Sequence, residues 1–234
     1  MNKRLLKTII NTYNKHIDEI GLTLYAHYLQ KIYQEYKNTH DYDTYKYLLV
    51  LCVKGPHQRR MSWQDVVSAI KVLKDNNVLN LYDSFEDLYN TISNLYDKGN
   101  EGSYTPFAKG RLTKYDTAFH IGQILGIEPE DFVYLAYHTK KSAKFLIQEK
   151  IPYIAKTSTF SSLFGDLKSK YIEDILCIFY DIFEKDSQGK IFTDNEVEEF
   201  MKNKIRECYL YLNKEYVLKK IKEVELNNGT IRKR

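Results

Sequence analysis

Residues 166–184 read DLKSKYIEDILCIFYDIFE, and the spacing of their apolar side chains decides the fold class. These side chains recur every three to four positions, which is the period of one face of an α-helix and not the alternation of a strand. They are Leu167, Tyr171, Ile175, Ile178, Phe179, Ile182 and Phe183. The pattern predicts a helix over 166–184, and a second long helix is predicted over 194–226. The short link between them predicts an antiparallel pair.

The same period continues toward the N-terminus. It predicts a first helix over 3–20 and a second around 24–36, and Ser62 and Ser84 are predicted to cap two more. The apolar run Tyr45–Val53 fits either a buried helix or a single strand, and its helical neighbours favour a helix. The chain has only 10 glycines and 4 prolines, whereas a β-protein needs frequent turns. We therefore expect an all-α, multi-helix bundle.

A break in the helical pattern divides the chain. Residues 98–112 contain three of the ten glycines, which is typical of a functional loop or a subdomain boundary. We expect an N-terminal helical bundle over 1–98, a C-terminal helical part over 110–226 and a basic tail over 227–234. The C-terminal part is predicted to begin with three short helices, around 114–125, 129–137 and 139–149. Gly126 is predicted to end the first of these helices, and Pro129 to lie in the first turn of the second.

The composition favours a globular protein of a reducing compartment. Three widely spaced cysteines, Cys52, Cys177 and Cys208, lie in apolar helical patterns and indicate buried free thiols. No window of 18 apolar residues is present, and Lys7 breaks the apolar run at the N-terminus, so a cytoplasmic location without membrane partners is expected. No cofactor is expected.

One segment has the form of a calcium-binding loop. Residues 184–195 resemble an EF-hand loop in the positions of Gly189 and Ile191, but Asn195 replaces the bidentate glutamate at the twelfth position. A plain connection between two helices is the preferred interpretation, and no metal site is predicted.

Charge is distributed unevenly along the chain. The net charge is +4, with a pI of about 8.7. Residues 1–60 carry 10 basic and 5 acidic side chains and residues 99–160 carry 8 and 6, so an anionic partner should meet one of these two blocks. The chain also has 21 tyrosines. Codon bias in an AT-rich genome is one explanation, and stacking of tyrosine rings on nucleic-acid bases is the other.

A glycine turn before a helix is the most informative motif. Residues 109–122 read KGRLTKYDTAFHIG, in which Lys109, Arg111 and Lys114 surround Gly110. The free N–H groups of a helix start attract anions. Residues 109–126 resemble the second half of a helix–hairpin–helix motif, which implies that the backbone of the turn faces a nucleic-acid phosphate. An ordinary helix start capped by Thr113 explains the same residues. The wider stretch 112–146 is similar to segments of uncharacterised bacterial proteins and implies no activity.

Two other basic loops adjoin helix starts. In residues 55–60, Arg59 and Arg60 are able to grip phosphates. In residues 138–144, Thr139 is predicted to cap a helix whose first turns carry Lys140, Lys141 and Lys144. Lysines there oppose the helix dipole, and a bound phosphate would relieve that cost. A solvated charged face is the alternative interpretation.

The sequence leaves three functions open. The leading hypothesis is binding of DNA or RNA through backbone phosphates, without base readout. The first alternative is a protein–protein or homodimer module, such as a regulatory or defence adaptor. The second is a nuclease-like enzyme, because Asp116 and His120 share a helix face and His138 follows nearby. Lysines clustered beside tyrosines would favour nucleic acid, and an exposed apolar stripe would favour a protein partner.

Overall fold

The computed structural model describes residues 2–58, 60–98, 110–186, 193–207 and 212–231. Within these ranges the chain forms eleven α-helices, three short 3-10 helices and one two-stranded sheet, which confirms the all-α prediction. The helices are α1 (Asn2–Lys15), α2 (Gly21–Thr39), α3 (Tyr42–Val53), α4 (Trp63–Asp75), α5 (Phe85–Lys98), α6 (Arg111–Leu125), α7 (Tyr137–Ile147), α8 (Ser161–Phe164), α9 (Ser169–Asp186), α10 (Asp194–Glu207) and α11 (Lys214–Ile231). The strands are β1 (Phe132–Tyr134) and β2 (Ile154–Lys156), and the 3-10 helices are Ile17–Glu19, Pro56–Gln58 and Thr157–Phe160.

Side chains that cap the helices explain several of the boundaries. The Ser62 hydroxyl accepts the backbone N–H of Asp65 at 3.1 Å, and the Ser84 hydroxyl accepts that of Asp87 at 3.1 Å, as predicted. At the end of α6, Gly126 has a φ of +75°, a left-handed conformation that costs glycine little. The predicted C-cap is therefore confirmed.

The prediction of a helix over 129–137 is wrong. Residues 132–134 form β1, which pairs antiparallel with β2 so that Val133 lies opposite Ala155. Three residues are too few to show a period, and the paired residues lie 20 to 24 positions apart. The sequence therefore carries no local signal for this sheet. The helix predicted over 139–149 begins two residues earlier, at Tyr137.

The long helix predicted over 194–226 is also wrong. The structure has two helices there, α10 and α11, and residues 208–211 between them lie outside the described residues. Helix α11 continues to Ile231, so residues 227–231 of the predicted tail are helical despite Gly229. Both helices bury apolar side chains, namely Val197 and Met201 in α10 and Val217 and Ile221 in α11.

The chain divides into two compact units, each built from two separate stretches of sequence. The first unit comprises residues 1–24 and 129–209, and the second comprises residues 25–128 and 210–234. This division differs from the predicted parts 1–98 and 110–226. In both units, segments far apart in sequence pack together, a feature that a break in the helical pattern does not reveal.

The core of the first unit lies where α1 and α10 meet α9. Its fully buried side chains include Ile9, Tyr13, Ile175, Phe179 and Met201. Helix α7 packs on α9 beside the small sheet.

At the start of α10, Thr193 and Glu196 form a reciprocal capping box, in which the Thr193 backbone N–H donates to the Glu196 carboxylate at 2.7 Å.

The second unit is arranged around α6. This helix is buried on nearly all sides and contacts both α3 and α5, while α11 lies against α3 and α4. The run Tyr45–Val53 is helical, as predicted, and is buried throughout apart from the half-buried Lys46. Tyr47 donates its hydroxyl to the backbone carbonyl of Leu212, which ties α3 to the residues before α11.

The prediction of three buried thiols is confirmed for one cysteine only. Cys52 is a buried thiol whose pKa is raised by burial. Cys177 forms no disulfide with a described residue and is only half-buried, and Cys208 lies outside the described residues. None of the described helices has the length and apolar character needed to cross a membrane. The described residues also contain no group of three His, Cys, Asp or Glu side chains arranged to hold a metal ion.

Candidate nucleic-acid interface

The predicted phosphate-binding turn is the start of α6. Helix α6 begins at Arg111, with Gly110 as its N-cap, and both residues are exposed. Thr113 lies inside the first turn and is buried. It is therefore not the cap that the ordinary interpretation of this helix start requires. The Lys114 ammonium is held by the Asp97 carboxylate at 2.7 and 2.8 Å, so its charge is offset within the unit.

A glutamine joins two of the three basic loops. The Gln58 side-chain N–H donates to the Asp116 carboxylate at 2.7 Å, and the Thr113 hydroxyl donates to the Gln58 carbonyl oxygen at 3.2 Å. The loop that carries the exposed Arg60 is therefore fixed to the helix start that carries Arg111. Arg59 and Lys109 lie outside the described residues. Nothing in the sequence indicated Gln58, which lies 58 positions before Asp116.

The predicted catalytic pair lies in the interior of the second unit. His120 is 6% exposed, and its Nδ1 lies 3.0 Å from the Cys52 carbonyl oxygen. The Tyr25 ring meets the imidazole edge-on at 5.0 Å, and the Gly55 backbone packs directly against it. Asp116 is 4% exposed. The pair belongs to a buried polar stripe along α6 that consists of Thr113, Asp116, Thr117, His120 and Gln123.

Helix α7 in the first unit presents its lysines beside aromatic rings. The Lys140 ammonium lies 3.6 Å from the centroid of the Tyr153 ring. The Lys141 ammonium lies 4.6 Å from the Tyr137 centroid and 5.9 Å from that of Tyr180. Thr139, Ser142 and Ala143 form the buried face of the helix. We call the exposed face, with Tyr137, Lys140, Lys141, Lys144 and the adjoining Tyr153, the α7 surface.

His138 belongs to the edge of the α7 surface. Its ring is exposed and lies 4.4 Å from the Tyr180 ring, measured between centroids. It is in the first unit, whereas Asp116 and His120 are in the second. The three weak catalytic candidates therefore do not form one cluster within either unit.

The α7 surface has an excess of positive charge. Residues 137–156 contain five lysines and one glutamate, Glu149. Among the described residues, no carboxylate lies within ion-pairing distance of Lys140, Lys144, Lys150 or Lys156. The first turn of α7 contains no acidic residue, and the N-cap is Ala136. The predicted cap, Thr139, lies one turn inside the helix, where its hydroxyl accepts the Ala136 backbone N–H at 2.8 Å.

A second helix start has the same tyrosine–lysine spacing, together with acidic residues. Tyr42 is the first residue of α3, and the Lys46 ammonium four positions later lies 4.7 Å from its ring. Here, however, Lys46 pairs with Asp43 at 2.8 Å, and the N-cap is Asp41. A hydrogen bond from Thr44 holds the pKa of the Asp41 carboxyl below its usual range, so the carboxyl stays charged. The same tyrosine–lysine spacing is thus accompanied in α3 by acidic residues at the N-cap and in the first turn, which α7 lacks at those positions.

The sequence located the lysines of α7 but not their aromatic partners. The four-residue spacing of Tyr137 and Lys141 is a local signal, since positions four apart share a helix face. Tyr153 and Tyr180 reach the α7 surface only because the chain returns through β2 and because α9 packs against α7. No periodicity in the sequence predicts these contacts.

Comparison with known proteins identifies no relative. No family model matches the chain, and no curated protein or solved structure matches it significantly. The resemblances of residues 109–126 and 112–146 stay predictions, and the function rests on the geometry of the described residues.

Proposed function

We propose that the protein binds nucleic acid through the phosphate backbone, with the α7 surface as the main contact. The observation that carries this proposal is the group of lysines on and after α7, of which Lys140 lies over the Tyr153 ring. Among the described residues, Lys140, Lys144, Lys150 and Lys156 have no carboxylate within ion-pairing distance. An anionic polymer would supply the missing negative charge. Lysine–phosphate contacts release condensed counterions, which gives an affinity that is tolerant of sequence and dependent on salt.

The aromatic contacts favour binding because they order the lysine side chains. An ammonium group over a tyrosine ring gains a cation–π attraction of about 0.5–1 kcal/mol at an exposed site. Lys140 and Lys141 each have such a ring, so less side-chain entropy is lost when a phosphate arrives. An isolated surface lysine has no such preorganisation.

The start of α6 contributes less to the proposed nucleic-acid binding than α7 does. Its charge comes from Arg111 and Arg60, while Lys114 is already paired with Asp97. The hairpin that would complete a helix–hairpin–helix motif requires residues before Gly110, and residues 99–109 lie outside the described residues. We therefore assign the principal role to α7.

The proposal is limited to binding and does not include catalysis. A catalytic His120 would have to lie in a cleft beside a second titratable group. Its ring instead lies under Gly55 and Tyr25, and Asp116 is engaged by Gln58. General acid–base chemistry requires a side chain that a substrate reaches, so the described geometry does not support the nuclease alternative.

Fluorescence anisotropy with labelled oligonucleotides across a salt series tests the proposed function. We expect affinity to fall log-linearly with salt concentration. Replacing Lys140, Lys141 and Lys144 by Ala should weaken binding and lower the salt slope by about 2, since each contact with a single strand contributes roughly 0.7.

The matched control removes the same charge elsewhere. Lys71, Lys219 and Lys222 are exposed lysines on α4 and α11 of the second unit. Their triple replacement by Ala should leave the salt slope near the wild-type value. Equal losses in the two triple variants would indicate a general charge effect and would refute the assignment to α7. No binding by the wild-type protein at low salt would refute the proposed function itself.

A further inference from the structure

We propose that the α7 surface selects unpaired nucleotides, DNA or RNA, by stacking a base on Tyr137, an inference that rests on the function proposed above. Single-stranded nucleic acid offers two groups that the surface matches, a phosphate for the lysines and an open base face for the ring. A duplex offers only the first, because its bases are already stacked on one another.

Tyr137 is the most exposed of the three tyrosines at the α7 surface. Tyr137 is 61% exposed to solvent, although burial of a tyrosine side chain ordinarily stabilises a protein. As the first residue of α7 it precedes the packed part of the helix. Lys141 and His138 lie beside its ring, at 4.6 Å from the ammonium and 5.4 Å between ring centroids. A base stacked there would also have its phosphate close to Lys140 and Lys141.

The neighbouring tyrosines, Tyr153 and Tyr180, are less exposed than Tyr137 and contact basic side chains. Tyr153 has the Lys140 ammonium 3.6 Å from its ring centroid, and Tyr180 has the His138 ring at 4.4 Å. Both are only half-exposed, so part of each ring is already covered. Tyr137 is more exposed than either ring, so we assign the stacking platform to it.

The length of α7 limits the size of the site. Eleven helical residues span about 16 Å at a rise of 1.5 Å each. At 3.4 Å per nucleotide along one strand, this length corresponds to about five nucleotides. Phe145, which is 39% exposed, lies eight residues after Tyr137, or about 12 Å along the helix, and marks the far end of the site.

The test compares single strands with duplexes of the same sequence, in DNA and in RNA, using oligonucleotides that carry 2-aminopurine. Stacking on a tyrosine changes 2-aminopurine fluorescence, while anisotropy of an end label reports the total binding. We expect the wild-type protein to prefer the single strands and to quench 2-aminopurine at one position of the site. Tyr137→Ala should weaken single-strand binding roughly fivefold to a hundredfold and leave the salt slope unchanged.

Three further variants control the interpretation. Tyr137→Phe keeps the aromatic face and should retain both affinity and quenching, whereas Tyr137→Leu should behave like the alanine variant. Tyr42→Ala removes a 52% exposed tyrosine at the equivalent position of α3, where Lys46 is neutralised by Asp43. That variant should bind like the wild type. Circular dichroism of each variant verifies that its helical content is unchanged.

The outcomes separate the two proposals. Equal affinity for single strands and duplexes, with no effect of Tyr137→Ala, would overturn the selection of unpaired nucleotides and leave phosphate binding intact. An equal loss of affinity in Tyr137→Phe and Tyr137→Ala would also overturn the stacking of a base on Tyr137. If neither form of nucleic acid binds, the function proposed above fails as well. A preference for RNA or for DNA among the single strands would identify which source of unpaired nucleotides the surface recognises.

Discussion

At the scale of single residues, the contact between Gly55 and His120 shows how tightly the second unit is packed. A Cβ atom placed on Gly55 would overlap the His120 ring, which is itself fixed by the Cys52 carbonyl and the Tyr25 ring. The glycine is therefore required by the closeness of a neighbour. Its loop continues into Gln58, which is hydrogen-bonded to Asp116 on the same helix as His120.

Gly55→Ala should destabilise the protein by about 1–3 kcal/mol, the usual cost of overpacking a core. The buried ring has little room to move, so the added methyl group must displace the loop or α6. Urea denaturation monitored by circular dichroism measures the change in the free energy of unfolding.

Gly110→Ser is the matched control for this substitution. Gly110 lies at the exposed N-cap of α6, where, among the described residues, a Cβ would meet only the Thr113 hydroxyl at an ordinary 3.8 Å. Serine is favoured at such a position, so this variant should be neutral or slightly stabilised. An unchanged free energy of unfolding in Gly55→Ala would show that His120 yields easily and that the contact is not restrictive.

The sequence predicted the chemical type of several important residues but not their surroundings. Asp116 and His120 were singled out because they lie four positions apart on one helix, and that spacing holds whether the face is buried or open. Burial depends on α3, α5 and Gln58, which approach α6 from distant parts of the chain. The lysines of α7 were located for the same local reason, while Tyr153 and Tyr180 were not.

At the scale of helices, a hydrogen bond between two side chains links α1 to α9. The Tyr13 hydroxyl donates to the Asp174 carboxylate at 2.7 Å, and Tyr13 is completely buried. Burial, reinforced by the negative charge of Asp174, raises the pKa of Tyr13 well above its ordinary value. The tyrosine therefore stays protonated in the folded protein after an unfolded chain would have begun to lose that proton.

Tyr13→Phe should lower the free energy of unfolding at neutral pH by about 1.5–3 kcal/mol, the range for hydrogen bonds to charged groups. The difference between wild type and variant should be constant below pH 10 and should shrink above it. Above that pH the unfolded wild-type chain releases the Tyr13 proton while the folded chain retains it, which favours unfolding. The variant has no such proton.

Urea denaturation from pH 8 to pH 11 checks this dependence. The other tyrosines titrate in both proteins, so their effects cancel in the difference between the two. Parallel stability profiles over the whole range would show that the Tyr13–Asp174 contact does not control the ionisation of Tyr13.

Helices with a strong apolar period were predictable, and elements defined by a distant partner were not. Helices α1, α4, α5 and α9 follow stripes of apolar residues that are visible in the sequence. Strand β1 was assigned to a helix because its three residues depend on pairing with β2. The end of α10 was missed because apolar residues continue at helical spacing into α11, which belongs to the other unit.

At the scale of the whole molecule, the chain forms two units, and each unit is built from two separate stretches of the sequence. Each unit has its own buried core, with Ile175 in the first and Leu73 in the second. Stability in such a chain is local, because a segment opens when the contacts of its own unit are weakened.

Ile175→Ala should therefore raise hydrogen exchange mainly in peptides from α1, α7 and α9. Leu73→Ala is the matched variant, and it should raise exchange mainly in α3, α4 and α6. Truncation of a buried Ile or Leu costs about 2–5 kcal/mol, enough to be detected by hydrogen exchange and mass spectrometry. An equal rise across both units in either variant would show that the chain unfolds as one cooperative body.

The distance in sequence between α1 and its partners has a consequence for the newly made chain. Tyr13 meets Asp174 and Arg4 meets Asp194, contacts that span 161 and 190 positions. Ribosomes add about 5–20 residues per second, so α1 spends roughly 8–40 s of synthesis without the surface that buries it. During that time its apolar stripe is exposed to other nascent chains and to chaperones. The earliest helix of the first unit must therefore be kept soluble until α9 and α10 arrive.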